Sequence, residues 1–140
     1  MRLFERLFGK RPEPPSSREA AAAVLHRFTT ATIVGIDRED LGRYPAKQRK
    51  VMAFHYGAIR CLAREFELNE TETLAVFVMF LNKYFNLPVS ETGSISERLQ
   101  GFLENPEERS YLDAGENVFR RWHEQGERRA PLQLGEMLQA

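Results

Sequence analysis

At 140 residues the chain has room for one domain with an appendage, and a domain of that size buries about 65–70% of its unfolded surface, enough to fold without a disulfide or structural metal. Its 20 basic and 20 acidic side chains cancel, which removes the positive excess expected of a nucleic-acid binder. Cys61 is the single cysteine, so no intramolecular disulfide forms, and the longest apolar run, residues 74–81, falls short of the roughly 20 residues that cross a bilayer.

Residues 1–10 form a predicted amphipathic helix. Wound at 3.6 residues per turn, Leu3, Phe4, Leu7 and Phe8 share one face with Met1, while Arg2, Arg6 and Lys10 share the other. A proline-rich linker over residues 11–16 separates this unit from the domain at 17–140. Glu5 and Arg6 interrupt the apolar residues and no small-residue cleavage site follows, so a signal peptide is not expected. Arg2 excludes N-myristoylation. Bulky apolar residues opposite a basic face suit an in-plane interfacial helix, each basic residue adding about 1 kcal/mol of attraction to an anionic leaflet. The same face suits docking onto the chain's own bundle, onto a second copy or onto a protein partner. The expected address is the cytoplasm, with peripheral contact at the inner face of the membrane as an alternative.

Ser16 and Glu19 make a capping-box pattern opening a helix that ends near Gly35, with Ala21, Val24, Leu25, Phe28 and Thr32 on its core face. Residues 29–36 are rich in β-branched side chains, but a lone strand would leave its backbone groups unpaired. A loop is expected over residues 37–43. Tyr44-Pro45 then starts a second helix over about 46–66, with Val51, Ala58, Ile59, Leu62 and Phe66 facing the core. Asn69 with Glu72 opens a third, apolar around most of its circumference through Leu74, Phe77, Val78, Leu81, Tyr84 and Phe85, and so expected at the centre of the fold. Leu87-Pro88 ends it.

Ser94 with Glu97 starts a short fourth helix to about Leu103. Asn105-Pro106 caps a fifth, in which Tyr111, Leu112, Gly115, Val118, Phe119 and Trp122 fall in one stripe, with Gly126 as its stop. A sixth, over 131–138, folds back through Leu132, Leu134 and Leu138. The fold expected is an all-α bundle of five to six helices with the amphipathic N-terminal helix appended.

Reaction chemistry is sparse. His55 lies in the middle of the second helix's apolar stripe, one turn from Val51 and Ile59, with Gln48 facing the same way. It is either a core histidine bonded to a neighbour such as Gln48 or Tyr84, or a ligand-sensing or catalytic group. No second histidine or cysteine sits at metal-ligand spacing, so neither a metal nor a cofactor is expected. Lys47, Arg49 and Lys50 crowd the start of the second helix, where cations oppose the macrodipole by about 0.3–1 kcal/mol each. They form a candidate anion site, or are neutralised by Asp37, Glu39 and Asp40. Arg109–Asp113 and Glu116–Arg120 have the spacing of helical ion pairs. A basic surface assembled from Lys47, Lys50, Arg120, Arg121, Arg128 and Arg129 would suit nucleic acid, but the best helix-turn-helix turn carries Glu67, Glu70 and Glu72, which repel phosphate. The sequence therefore reads as a non-enzymatic adaptor or regulatory module that contacts a protein partner, a second copy or a membrane through helix faces. The alternative is a small-ligand or anion sensor, or an enzyme, built around His55.

Overall fold

A computed structural model describes residues 16–87 and 94–139. These form seven α-helices: α1 (Ser17–Ile33), α2 (Arg38–Arg43), α3 (Pro45–Glu65), α4 (Glu70–Phe85), α5 (Ile95–Glu104), α6 (Pro106–His123) and α7 (Gln133–Gln139). A 3-10 turn, Ala130–Leu132, precedes the last. The described residues contain no strand, so the architecture is the all-α bundle expected. The amphipathic segment at 1–10, most of the linker, and Pro88 lie outside the described residues.

Local chemistry sets most boundaries. The Ser16 side chain accepts from the Glu19 backbone N–H at 3.2 Å. Asn69 and Glu72 form a reciprocal capping box, and Asn105 accepts from the N–H groups of Glu107 and Glu108 just ahead of Pro106. Helix α4 stops on Asn86, which takes the left-handed φ of 53° that asparagine tolerates at a helix end.

Two boundaries and one cap differ from expectation. Residues 37–43 are not a plain loop, because the Asp37 carboxylate accepts from the N–H groups of Glu39 and Asp40 and so caps the six-residue α2. Ser94 makes no side-chain cap hydrogen bond to α5. Helix α6 ends at His123, and Gly126 supplies a φ of 72° in the turn beyond it.

The centre of the fold is α3 and not α4. Ten α3 residues are buried, from Val51 to Leu62, against four on α4, which are Val76, Phe77, Phe80 and Leu81. Leu74, Val78, Tyr84 and Phe85 are only half-buried, and Met79 is 49% exposed. The broad apolar surface of α4 therefore faces outward in part, which circumference alone does not reveal.

Helix α3 packs on α6. Lys50 meets Glu107, Gly57 meets Leu112, Cys61 meets Glu116 and Glu65 meets His123, so contacts climb together along both sequences and the helices run parallel. Their crossing is closed by glycine. A Cβ at Gly57 would lie 2.1 Å from the Leu112 carbonyl oxygen, and one at Gly115 would lie 1.8 Å from that of Phe54. Only hydrogen fits at either position.

Gly57→Ala and Gly115→Ala should each destabilise the fold by about 3 kcal/mol or more, despite the advantage of about 1 kcal/mol that alanine has in a helix. Gly42→Ala, where a Cβ meets nothing within 4 Å, should be neutral or mildly stabilising. Urea unfolding of the three variants checks this, and equal stabilities would contradict the close crossing.

Candidate functional site

The cations Lys47, Arg49 and Lys50 are each engaged by a carboxylate of the chain. Lys47 pairs with Asp40. Arg49 forms a two-pronged contact with Glu108 at 3.0 and 3.1 Å, and Lys50 lies 3.2 Å from Glu107. The hydrogen bonds to Asp40 and Glu108 raise the pKa values of Lys47 and Arg49 above their ordinary values. Of the loop acids expected as neutralisers, Asp40 forms the ion pair, while Asp37 caps α2 and adds a weaker charge interaction with Lys47. The other partners are first-turn acids of α6, where the helix dipole favours negative charge. Parallel packing brings this acidic start beside the basic start of α3, which accounts for cations at a position the dipole disfavours. Arg121 sits toward the opposite end of α6, where it bonds Glu127 and Gln133 and lines a hollow with Arg128 and Arg129, so this group lies apart from the cations at the start of α3. Arg109 pairs with Asp113 at 3.1 Å as spacing suggests, but Glu116 turns to Arg64 of α3 at 3.2 Å and not to Arg120.

His55 is fully buried. Its ring stacks on Phe80 with centroids 4.8 Å apart and meets Phe28 and Phe54 at 5.9 and 5.5 Å. Burial among these rings lowers its pKa to about 4, opposed in part by the bond to the Val51 carbonyl. That carbonyl, 2.8 Å from Nδ1, only accepts, so Nδ1 carries the proton. In the neutral ring Nε2 must then accept, and the Thr32 hydroxyl 2.9 Å away supplies the donor. The Thr32 oxygen also lies 2.8 Å from the Thr29 carbonyl, but its one proton serves one acceptor at a time. The partners expected from sequence are corrected here. Gln48 donates to the carbonyls of Leu41 and Gly42 at 3.1 and 3.4 Å, fastening the end of α2, and the Tyr84 hydroxyl lies 2.6 Å from His26 Nδ1. Thr32, a polar residue on the apolar stripe of α1, is the signal that pointed to the true partner.

Above His55 lies a cleft of about 450 Å³, bounded by the end of α1, by α2, by the start of α3 and by the end of α4. That volume falls within the range of small-molecule sites, roughly 300–1,000 Å³. Its apolar lining comes from Ile33, Ile36, Leu41, Val51, Phe80 and Phe85. Polar groups converge on it too: buried Thr29 and His55, half-buried Gln48 and Tyr84, and exposed Arg38 and Lys83. No acidic residue among the described residues lines it. Neither Arg38 nor Lys83 has a carboxylate partner among the described residues. Lys83 donates to His26 Nδ1 at 3.0 Å, and because an ammonium only donates, that nitrogen is an acceptor. The Thr29 hydroxyl is buried without a hydrogen-bond partner.

Groups for covalent chemistry do not gather here. The Cys61 thiol faces Glu116 on α6, and burial raises its pKa. No group of three or more His, Cys, Asp or Glu residues among the described residues is placed to hold a metal. The candidate contact residues Arg2, Leu3, Phe4, Arg6, Leu7, Phe8 and Lys10 lie outside the described residues. No described helix is long and apolar enough to cross a membrane. No protein-family model, curated protein or solved structure matches the chain.

Two predictions follow the buried polar groups. A pKa depressed from 6.5 to about 4 means the unfolded chain takes up the His55 proton first. His55 should therefore cost about 3 kcal/mol of stability as pH falls from 6.5 to 4, with none of this loss above pH 6.5. Urea unfolding against pH checks this: His55→Gln should flatten the curve in that window, and an unchanged slope would contradict it. Thr29→Val replaces an orphaned hydroxyl by a methyl group and should raise stability by about 1 kcal/mol, whereas a loss of that size would show that the hydroxyl has a partner.

Proposed function

We propose that the chain is a non-enzymatic regulatory module whose input is a small molecule held in the cleft over His55. The observation that carries this reading is the convergence of polar side chains on a half-apolar cleft of about 450 Å³. Among the described residues the cleft is lined by no acid and no thiol, and both ring nitrogens of His55 are already bonded. It is therefore suited to binding and not to proton transfer or nucleophilic attack.

Output follows from how the walls are attached. None of the six residues of α2 is fully buried. The helix is tied to α3 by Asp40–Lys47 and by the amide of Gln48 on its last carbonyls. An element with few buried contacts opens at low free-energy cost. A molecule bridging α2, α3 and the end of α4 stabilises the closed arrangement by RT ln(1 + [L]/Kd), which gives the module two states for a partner to read.

The amphipathic segment at 1–10 supports a second, compatible proposal. Leu3, Phe4, Leu7 and Phe8 would contact a protein partner, a second copy or the inner face of a membrane, with Arg2, Arg6 and Lys10 attracted to an acidic surface.

Methyl NMR of the full chain against a fragment library tests the cleft. Binders should perturb Ile33, Ile36, Leu41 and Val51 together, and Ile33→Trp, which fills the cleft, should abolish the response. A library that perturbs none of these methyls would contradict the reading. Co-sedimentation with anionic and neutral vesicles tests the second proposal: Phe4→Ser with Leu7→Ser should release the protein from anionic vesicles if the segment contacts lipid. If wild type and variant alike stay in solution and the variant lowers the assembly state instead, the segment is a protein contact.

A further inference from the structure

We infer that the molecule held in the cleft is an anionic amphiphile, an alkyl chain bearing a carboxylate or a similar compact anionic head. This rests on the cleft reading above. The walls offer Ile33, Ile36, Val51 and Phe80 to an apolar chain. Charge decides the head. Among the described residues the lining contains Arg38 and Lys83, both exposed, and no acid. The imidazole of His55 in the lining is neutral above its pKa of about 4. The cleft therefore carries positive charge that nothing in its lining among the described residues balances.

The contrast with the start of α3 sharpens the point. Lys47, Arg49 and Lys50 each hold a carboxylate of the chain, so an incoming anion would have to displace one. At the cleft Arg38 keeps its planar fork, which matches a carboxylate or phosphate in two parallel bonds, without an acidic partner among the described residues. Lys83 contributes donors beyond the one bonded to His26. The chain's own apolar segment at 1–10 is a poorer occupant, because Arg2, Arg6 and Lys10 outnumber Glu5 and would meet Arg38 and Lys83 as like charges.

Calorimetric titration of the full chain with monomeric decanoate, decanol and decyltrimethylammonium tests the assignment. Decanoate should bind about tenfold more tightly than decanol, with the cationic probe weakest. Arg38→Gln and Lys83→Gln together should reduce decanoate affinity to that of decanol without weakening decanol, a readout that general damage to the fold would not produce. Arg38→Gln alone alters an exposed side chain, so a folded variant is assured for the comparison. Equal binding of decanoate and decanol to wild type would overturn the anionic assignment while leaving the cleft as an apolar site. Binding of neither, with no perturbation of the cleft methyls, would overturn both. Tighter decanoate binding in Leu7→Ser with Phe8→Ser would show that the N-terminal segment occupies the cleft, which also overturns the assignment. The source of the head is read by competition. Decanoate that displaces the protein from anionic vesicles, in a way the double variant loses, identifies a membrane lipid, and decanoate binding untouched by vesicles identifies a free amphiphile.

Discussion

Between Gly57 and Gly115 the backbones of α3 and α6 approach until added Cβ atoms would sit about 2 Å from carbonyl oxygens. Attraction at that range is dispersion summed over many atoms, and it depends on shape alone. The rest of the bundle follows from it. Close approach of two parallel helices aligns their first turns, so Glu107 and Glu108 reach Lys50 and Arg49. Gly57 also lies two residues from His55, so the crossing that seats one face of α3 on α6 turns the imidazole toward Thr32 of α1 and Phe80 of α4. A second glycine contact ties on the end of the chain, since a Cβ at Gly135 would lie 2.1 Å from the Gly35 carbonyl oxygen.

Tight packing on the α6 side contrasts with the opposite side of α3. There α2 lies over α3 without a fully buried residue, and a cleft remains beside it. His55 marks the boundary between the two regimes. A polar ring is tolerated at full burial because Val51 and Thr32 satisfy both nitrogens, and the same burial keeps it neutral. Among the described residues the cleft thus has an uncharged floor, with the cations Arg38 and Lys83 exposed in its lining, which is the basis for the proposed anionic amphiphile.

Much of the fold was legible in sequence because helix starts are local. Asn69 with Glu72 and Asn105 with Pro106 each announce a helix within four residues, and the structure places a helix at both. The buried stripe of α1, from Ala21 to Thr32, followed from helical periodicity alone. What failed depends on which faces meet. The apolar circumference of α4 suggested a central helix, but burial is decided by neighbours, and the glycines on α3 and α6 let that pair approach most closely. Gly115 falls within the predicted stripe of α6, whereas nothing local marks Gly57 on α3 as its counterpart in the crossing.

The site was less legible. His55 was visible as a polar residue in an apolar stripe, but its partner was a threonine 23 positions earlier on another helix. No local signal in the sequence marks Arg38 or Lys83, since the cleft they line is assembled from segments spread over residues 29–86. Lys47, Arg49 and Lys50 oppose the dipole of their own helix. Lys47 is answered by Asp40, one of the nearby acids expected to neutralise it, whereas the partners of Arg49 and Lys50 lie in the first turn of a helix more than fifty residues away. Hydrogen exchange of the full chain with and without decanoate tests the central claim most directly. The account predicts that amides of residues 38–43 gain protection on binding while those at the α3–α6 crossing stay unchanged. Binding that leaves residues 38–43 as exchangeable as before would contradict it.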